Sequence, residues 1–162
     1  AGTSRHTGAE ATLTLATLDG LVRGDLSYSR TNAIFKDFEV LGVQHAGKLV
    51  PGISPSRVQA VVRVNPELWF AEIVGTYAGE VAINDANTEG SAAPAYTLLD
   101  LRVGARGVVV RGFEFAPWAA VTNVLDEYYV ASVIPNAAAN RAYDPGPGRA
   151  LQFGARVTWG GN

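Results

Sequence analysis

The chain has 162 residues, 48% of them hydrophobic and 17% charged, with a formal net charge of −2 and a pI near 5.7. That is one domain's worth of chain, and its charge balance excludes the basic footprint of a nucleic-acid-binding protein. There is no cysteine, so a disulfide framework is excluded, and no apolar run approaches the ~18 residues of a spanning helix, which leaves strands as the only membrane route.

Seven segments alternate apolar and polar residues with a period of two, the mark of a strand with two different faces. In 9–18, Ala9, Ala11, Leu13 and Leu15 oppose Glu10, Thr12 and Thr14. In 21–31, Val22, Gly24, Leu26 and Tyr28 oppose Arg23, Asp25, Ser27 and Ser29, and in 57–65 Val58, Ala60, Val62 and Val64 oppose Arg57, Gln59 and Arg63. Segment 68–83 sets Trp69, Ala71, Ile73, Gly75 and Tyr77 against Glu72, Thr76 and Glu80. Leu99, Leu101 and Val103 oppose Asp100, Arg102 and Arg106 in 95–106. Phe113, Phe115, Ala119 and Val121 oppose Glu114 in 113–122, and Leu151, Phe153, Ala155, Val157 and Trp159 oppose Gln152 and Arg156 in 149–159. Pro117, inside a strand, removes a ladder donor and predicts a local bulge.

Connector lengths alternate too. Asp19-Gly20, Asn65-Pro66-Glu67 and a glycine-containing link near 107–112 are short, as tight hairpins require. The others run about 32–56, 84–94 and 123–148. One end of the sheet is therefore expected to carry tight turns and the other long loops, the pattern of an outer-membrane barrel.

The apolar faces carry no charge except Arg30, at a strand end. The polar faces carry six arginines (Arg23, Arg57, Arg63, Arg102, Arg106, Arg156) and six acids (Glu10, Asp25, Glu72, Glu80, Asp100, Glu114), a lumen ladder in a barrel. A basic residue facing lipid at mid-bilayer costs about 2–4 kcal/mol, so a membrane strand demands this segregation. A soluble sandwich also alternates, with its apolar face against a second sheet. Strand length and aromatic placement favour the barrel: Trp69, Phe113 and Trp159 stand at the short-turn end, Tyr28 and Tyr77 toward the long loops, as two interfacial girdles would.

The carboxyl-terminal third resembles the end of TonB-dependent outer-membrane receptors. Val121-Thr122-Asn123-Val124-Leu125-Asp126-Glu127-Tyr128-Tyr129 is similar to the family's N-L-[FL]-D-x-x-Y signature after the penultimate strand. Pro145-Gly146-Pro147-Gly148-Arg149-Ala150-Leu151 resembles its P-G-x-G-R-[TS]-[FLV] entry to the final strand. Weaker matches precede these in the right order: Thr7-Gly8-Ala9-Glu10, Leu26-Ser27-Tyr28-Ser29, and Gly47 to Pro55. Ala150 replaces the usual Thr or Ser, and Asn162 follows Trp159 where the family ends on an aromatic. The family's plug domain and energy-coupling box have no counterpart in residues 1–162. The resemblance implies a carboxyl-terminal barrel section of an importer for siderophores or similar scarce solutes, in the outer membrane of a Gram-negative bacterium. Its partners would be outer-membrane lipid, further strands and a plug, and an inner-membrane energy-coupling protein; no cofactor is implied.

Seven strands leave a barrel unclosed, since antiparallel bacterial barrels have an even number, eight at the least. Three closures are open: strands on upstream sequence, an eighth strand hidden in Phe35–Val43 or Tyr128–Ile134 that makes a small stand-alone anchor or adhesion barrel, or a second copy. No amino-terminal charged-then-apolar leader is present, so a secretion signal is expected to be removed or to lie upstream.

No catalytic constellation emerges, and the chain is not expected to be an enzyme. His6 and His45 fall in outer loops with no clustered carboxylate to complete a metal site. A phosphate-cradling loop lacks both its Lys-Ser/Thr and a following helix. Ligand contacts are expected from outer loops, with His45, Lys48, Asn87, Tyr128, Tyr129, Arg141 and Tyr143 as candidates by chemistry. Asn123 and Asp126 read as structural, bonding local backbone where strand becomes loop. Arg63–Glu72 and Arg106–Glu114 are expected as diagonal pairs across the tight turns.

Overall fold

The computed structural model describes residues 2–137 and 142–160. Strands supply all of their regular structure: β1 (Thr3–Ala16), β2 (Val22–Asp37), β3 (Glu39–Val40), β4 (Val43–Gln44), β5 (Ser56–Val64), β6 (Trp69–Ala78), β7 (Val81–Ala82), β8 (Ala92–Ala93), β9 (Tyr96–Ala105), β10 (Val108–Val110), β11 (Phe113–Thr122), β12 (Val130–Val133), β13 (Tyr143–Pro145) and β14 (Ala150–Trp159).

The seven long strands form one antiparallel sheet in the order β1-β2-β5-β6-β9-β11-β14, with β10 continuing β9 along β11. Each of the seven expected segments lies on one of them, and each neighbour in sequence is a neighbour in space. Cross-strand partners share a face, so the register is a test of the alternation. It holds across the sheet: Gly24 pairs Val62, Val62 pairs Ile73, Ile73 pairs Leu101, Leu101 pairs Val121 and Val121 pairs Leu151. One polar row runs through Arg23, Arg63, Glu72, Arg102, Ala120 and Gln152.

The sheet has a single layer. No large side chain is fully buried among the described residues, and the apolar row lies open: Ile73 is 45% exposed, Trp159 71%, Phe153 82%. A sandwich would cover these residues with a second sheet, and none is present among the described residues. Along β6 and over Phe113–Trp118 of β11, polar-face residues are less exposed than their apolar neighbours. On β6, for example, Trp69, Ile73 and Tyr77 are exposed while Phe70, Glu72, Val74 and Thr76 are half-buried. The sheet therefore curls with its polar face concave and its apolar face convex, a half-barrel.

At one end the strands join by tight turns. Asp19 anchors the first, accepting from the Thr17 hydroxyl at 2.6 Å and from the Leu21 N–H at 3.0 Å. These two bonds, the hydroxyl's first, hold its carboxyl below the usual carboxylate range. Arg111 and Gly112, with φ of 49° and 83°, form the two-residue turn between β10 and β11; positive φ at both positions matches the right-handed twist of the strands it joins. Pro117 has the predicted consequence. Its ladder to β14 is unbroken, but pairing with the other neighbour slips by one residue between Val108↔Phe115 and Trp118↔Gly104.

At the other end each long connector folds into a small hairpin: β3–β4, β7–β8 and β12–β13. Segments 35–43 and 128–134 thus supply the end of β2 and loop hairpins, and among the described residues nothing adds an eighth strand to the sheet. β1 and β14 are left as its two edges. Two boundaries differ from expectation. β1 and β2 extend together to Thr3 and Asp37, well past the alternating residues. β6 stops at Ala78, where Gly79 turns aside and donates its N–H to Ser56 O at 2.8 Å.

Candidate functional site

Apart from Val61 at mid-strand on the concave face of β5, the few buried residues gather at the loop end rather than between sheet layers. Ala33, His45, Ala78, Ala93, Asn123 and Ala142 are all at strand ends or in loops. Two asparagines tie the loops together. Asn87 accepts from Leu49 N–H at 2.6 Å and donates back to Leu49 O at 3.0 Å, joining the second loop to the first. Asn136 accepts from Asp85 N–H at 3.0 Å and donates to the Asp85 carboxylate at 2.9 Å, joining the third loop to the second. Asn87 was singled out for its chemistry and the structure gives it backbone partners; Asn136 carried no recognisable spacing.

His45, 8% exposed, packs beside Phe38, which in turn stacks on Phe35 with ring centroids 4.5 Å apart. Lys48 is exposed on the same loop, and Arg141 lies outside the described residues. The three candidate tyrosines do converge. Tyr128, Tyr129 and Tyr143 line a cavity of about 270 Å³ with Tyr96, Glu127, Pro94 and Pro145. Tyr129 packs against Tyr96 with ring centroids 4.7 Å apart and the planes tilted by 43°, and burial, then Tyr96 and Asp100, push its hydroxyl above the ordinary tyrosine value. Tyr96 was missed because it stands at the start of a strand, where it read as wall.

The signature residues form one junction where β11 leaves the sheet and β14 enters it. Asn123, 4% exposed and at φ 49°, donates to Glu127 O at 2.9 Å and Pro147 O at 3.2 Å and accepts from Glu127 N–H at 2.9 Å. Its own N–H reaches the Asp100 carboxylate at 2.8 Å. Asp126 accepts from the Arg149 N–H at 3.1 Å and from its guanidinium at 3.2 Å.

The twelve ladder charges form two groups and several single residues. Asp25 bridges Arg23 at 3.0 Å and Arg63 at 3.1 Å, offsetting the direct apposition of those two arginines, and Arg63 also pairs with Glu72. Arg63 and Glu72 are directly opposite in the register rather than diagonal. Glu114 pairs with Arg156 at 3.7 Å, while Arg106 sits in the bulge and donates to Asn65 at 2.8 Å. Arg57 and Glu10 lie higher on the concave face, Asp100 caps the Asn123 N–H, and Glu80 is beyond the end of β6.

Arg102 lies over two rings, 5.6 Å from Phe70 and 4.9 Å from Trp118. These rings belong to a cross-strand row, Phe70-Gly104-Trp118-Gly154, in which each ring covers a neighbouring glycine. The five girdle residues Tyr28, Trp69, Tyr77, Phe113 and Trp159 are all exposed on the convex face. Tyr28 and Tyr77 share a row through Val58, and Phe113 pairs Trp159. Tyr77 and Trp69 are separated by eight residues, with Ile73 midway. That is about 26 Å along the strand, or roughly 20 Å of height at a 40° tilt, near the apolar band of an outer-membrane barrel.

No family model matches the sequence. Solved structures do match the fold. The ferric citrate transporter FecA in its unliganded form superposes with a TM-score of 0.80 at 21% identity, over 97% of this chain and 25% of that one. The ferric preacinetobactin receptor BauA from Acinetobacter baumannii gives 0.76 at 14% identity, covering 96% and 22%. The ferric yersiniabactin uptake receptor FyuA from Yersinia pestis gives 0.75 at 16%, covering 97% and 24%. The chain thus spans about a quarter of the length of these proteins. Its fold is that of a seven-stranded section of a TonB-dependent receptor barrel, the family its carboxyl-terminal motifs resemble.

Proposed function

We propose that this chain is part of the barrel wall of an outer-membrane importer of the TonB-dependent receptor kind, in a Gram-negative bacterium. The observation that carries this reading is the unbroken, uncovered apolar face across seven strands, banded by aromatic rows. In water that face would be an aggregation surface far beyond the few hundred Å² that soluble monomers expose; against acyl chains it is ordinary wall. The concave face then borders an aqueous lumen and the three hairpin loops rim its outer mouth. The proteins of like fold take up ferric citrate, ferric preacinetobactin and ferric yersiniabactin, which supports iron complexes of small chelators as the class of cargo. By the resemblance, loops capture the solute, and a plug moved by an inner-membrane energy-coupling protein releases it. The residues of this chain bind and position without covalent chemistry.

Closure follows from parity. An odd number of antiparallel strands makes β1 and β14 point the same way, so they cannot close on each other in antiparallel register. Two copies inserted alike meet through the same parallel edges. An odd number of further strands restores antiparallel pairing and spares the edge backbone groups, each costing several kcal/mol unpaired in lipid.

The absence of cysteine allows a direct test. Single cysteines at Thr88 in the second long loop and at Asp19 in a tight turn are probed with a membrane-impermeant maleimide. T88C is expected to react on intact cells and D19C only after permeabilisation. The reverse order, or equal labelling of a soluble fraction, contradicts the proposal.

A further inference from the structure

Four of the six tyrosines, Tyr96, Tyr128, Tyr129 and Tyr143, face one cavity of about 270 Å³, while the other two, Tyr28 and Tyr77, belong to the convex girdle. The cavity lies at the loop end of the concave face. Among the described residues, Glu127 is its one charged wall residue and no lysine or arginine lines it. Tyr129 is a fixed wall: it packs at a tilt against Tyr96, and Gly146 lies so close beneath its ring that a Cβ there would collide with it. Asp100 adds negative potential at the Tyr129 hydroxyl.

Phenol rings present electron-rich faces, and several such faces with a carboxylate complement a cation. The choice among cations follows from hydration and donor count. A divalent metal ion needs six or more oxygen ligands or several carboxylates, which this lining lacks. A substituted ammonium is weakly hydrated, enters an apolar cavity at small cost and gains from every ring it touches. An anion meets only repulsion from Glu127. The volume lies at or below the small end for solute pockets, so it fits a head group rather than a large ligand.

We propose that this cavity binds a substituted ammonium group, with the four rings as walls and Glu127 as counter-charge. This rests on the reading of the hairpin loops as the solvent-facing mouth of a barrel.

The test uses the protein purified from the membranes in which it is expressed, in a maltoside detergent, which carries no ammonium group. Choline and its neutral isostere 3,3-dimethylbutan-1-ol are titrated separately, with tyrosine ring resonances as the readout. Choline is expected to bind at least about fivefold more tightly than the isostere. Y143L and Y128L, both at exposed rings, weaken choline binding. E127Q lowers the preference for choline, leaving only the part due to the rings, and leaves isostere binding unchanged. G146A displaces the Tyr129 ring and weakens binding with every tyrosine retained. Equal binding of the two ligands, or a preference that E127Q leaves undiminished, overturns the proposal. Failure of choline to bind while T88C is labelled from outside removes the ammonium site and leaves the barrel standing. Choline binding without outside labelling supports the site and removes the barrel orientation.

Discussion

Replacing Ile73 by arginine separates a lipid-facing wall from a water-facing one. Ile73 is 45% exposed, midway between Trp69 and Tyr77 on β6 and flanked across the sheet by Val62 and Leu101. If its exposed surface meets lipid near the bilayer midplane, I73R costs about 2–4 kcal/mol, a factor of about 30 to 700 in the folded-to-unfolded ratio. If that surface meets water, a surface substitution at such a position stays within about 0.5 kcal/mol. The control is Gln59→Arg, on the exposed polar face of β5, expected to be nearly neutral because its new charge enters the lumen. Both variants are refolded into phospholipid vesicles across a urea series, and the folded fraction is read from heat-modifiable gel mobility. A cost for I73R no larger than that for Q59R refutes the assignment of faces.

Three further outcomes are expected. Asn123→Ala loses three side-chain hydrogen bonds and puts alanine at φ 49°, a cost of about 2–4 kcal/mol; Asn123→Gly restores the backbone part alone, so proteolysis of the third loop should rank Ala above Gly above wild type. Gly104→Ala sets a methyl against the Phe70 ring and the Pro117 carbonyl and should lower the unfolding free energy by about 1–3 kcal/mol, as measured in denaturant. Asp19, held below its ordinary pKa by Thr17 and Leu21, stabilises its turn at neutral pH. That contribution is lost only as pH falls below the usual carboxylate value of 3.8 and through the folded one. Protection of the Leu21 amide, its exchange rate relative to that of the unstructured chain at the same pH, should fall in that acid range and nowhere above it.

The strands were legible because an apolar convex face and a polar concave face write period two directly into β6 or β14. Where both sides meet water the signal vanishes. Thr3–Gly8 and Thr31–Asp37 pair as strand, with one register shift at Thr3/Ser4, yet show no alternation, for on the proposed reading they extend past the band. The row of Phe70, Gly104, Trp118 and Gly154 was not legible either, because a glycine announces nothing about the ring that will cover it. At the loop end, the Asn123–Asp126–Arg149 junction could be read from motif spacing. The cavity at Tyr96 and the ties through Asn136 depend on how three loops meet, which local sequence does not encode.

The central claim is that one face of this sheet meets lipid and the other water, residue by residue. Single spin-labelled cysteines placed through Phe70–Tyr77 in the membrane-embedded protein test it most directly. Relaxation by oxygen, which partitions into acyl chains, should peak at positions 71, 73, 75 and 77, and relaxation by a water-soluble nickel chelate at 70, 72, 74 and 76. Oxygen and chelate profiles that rise together, or show no period of two, would contradict the account.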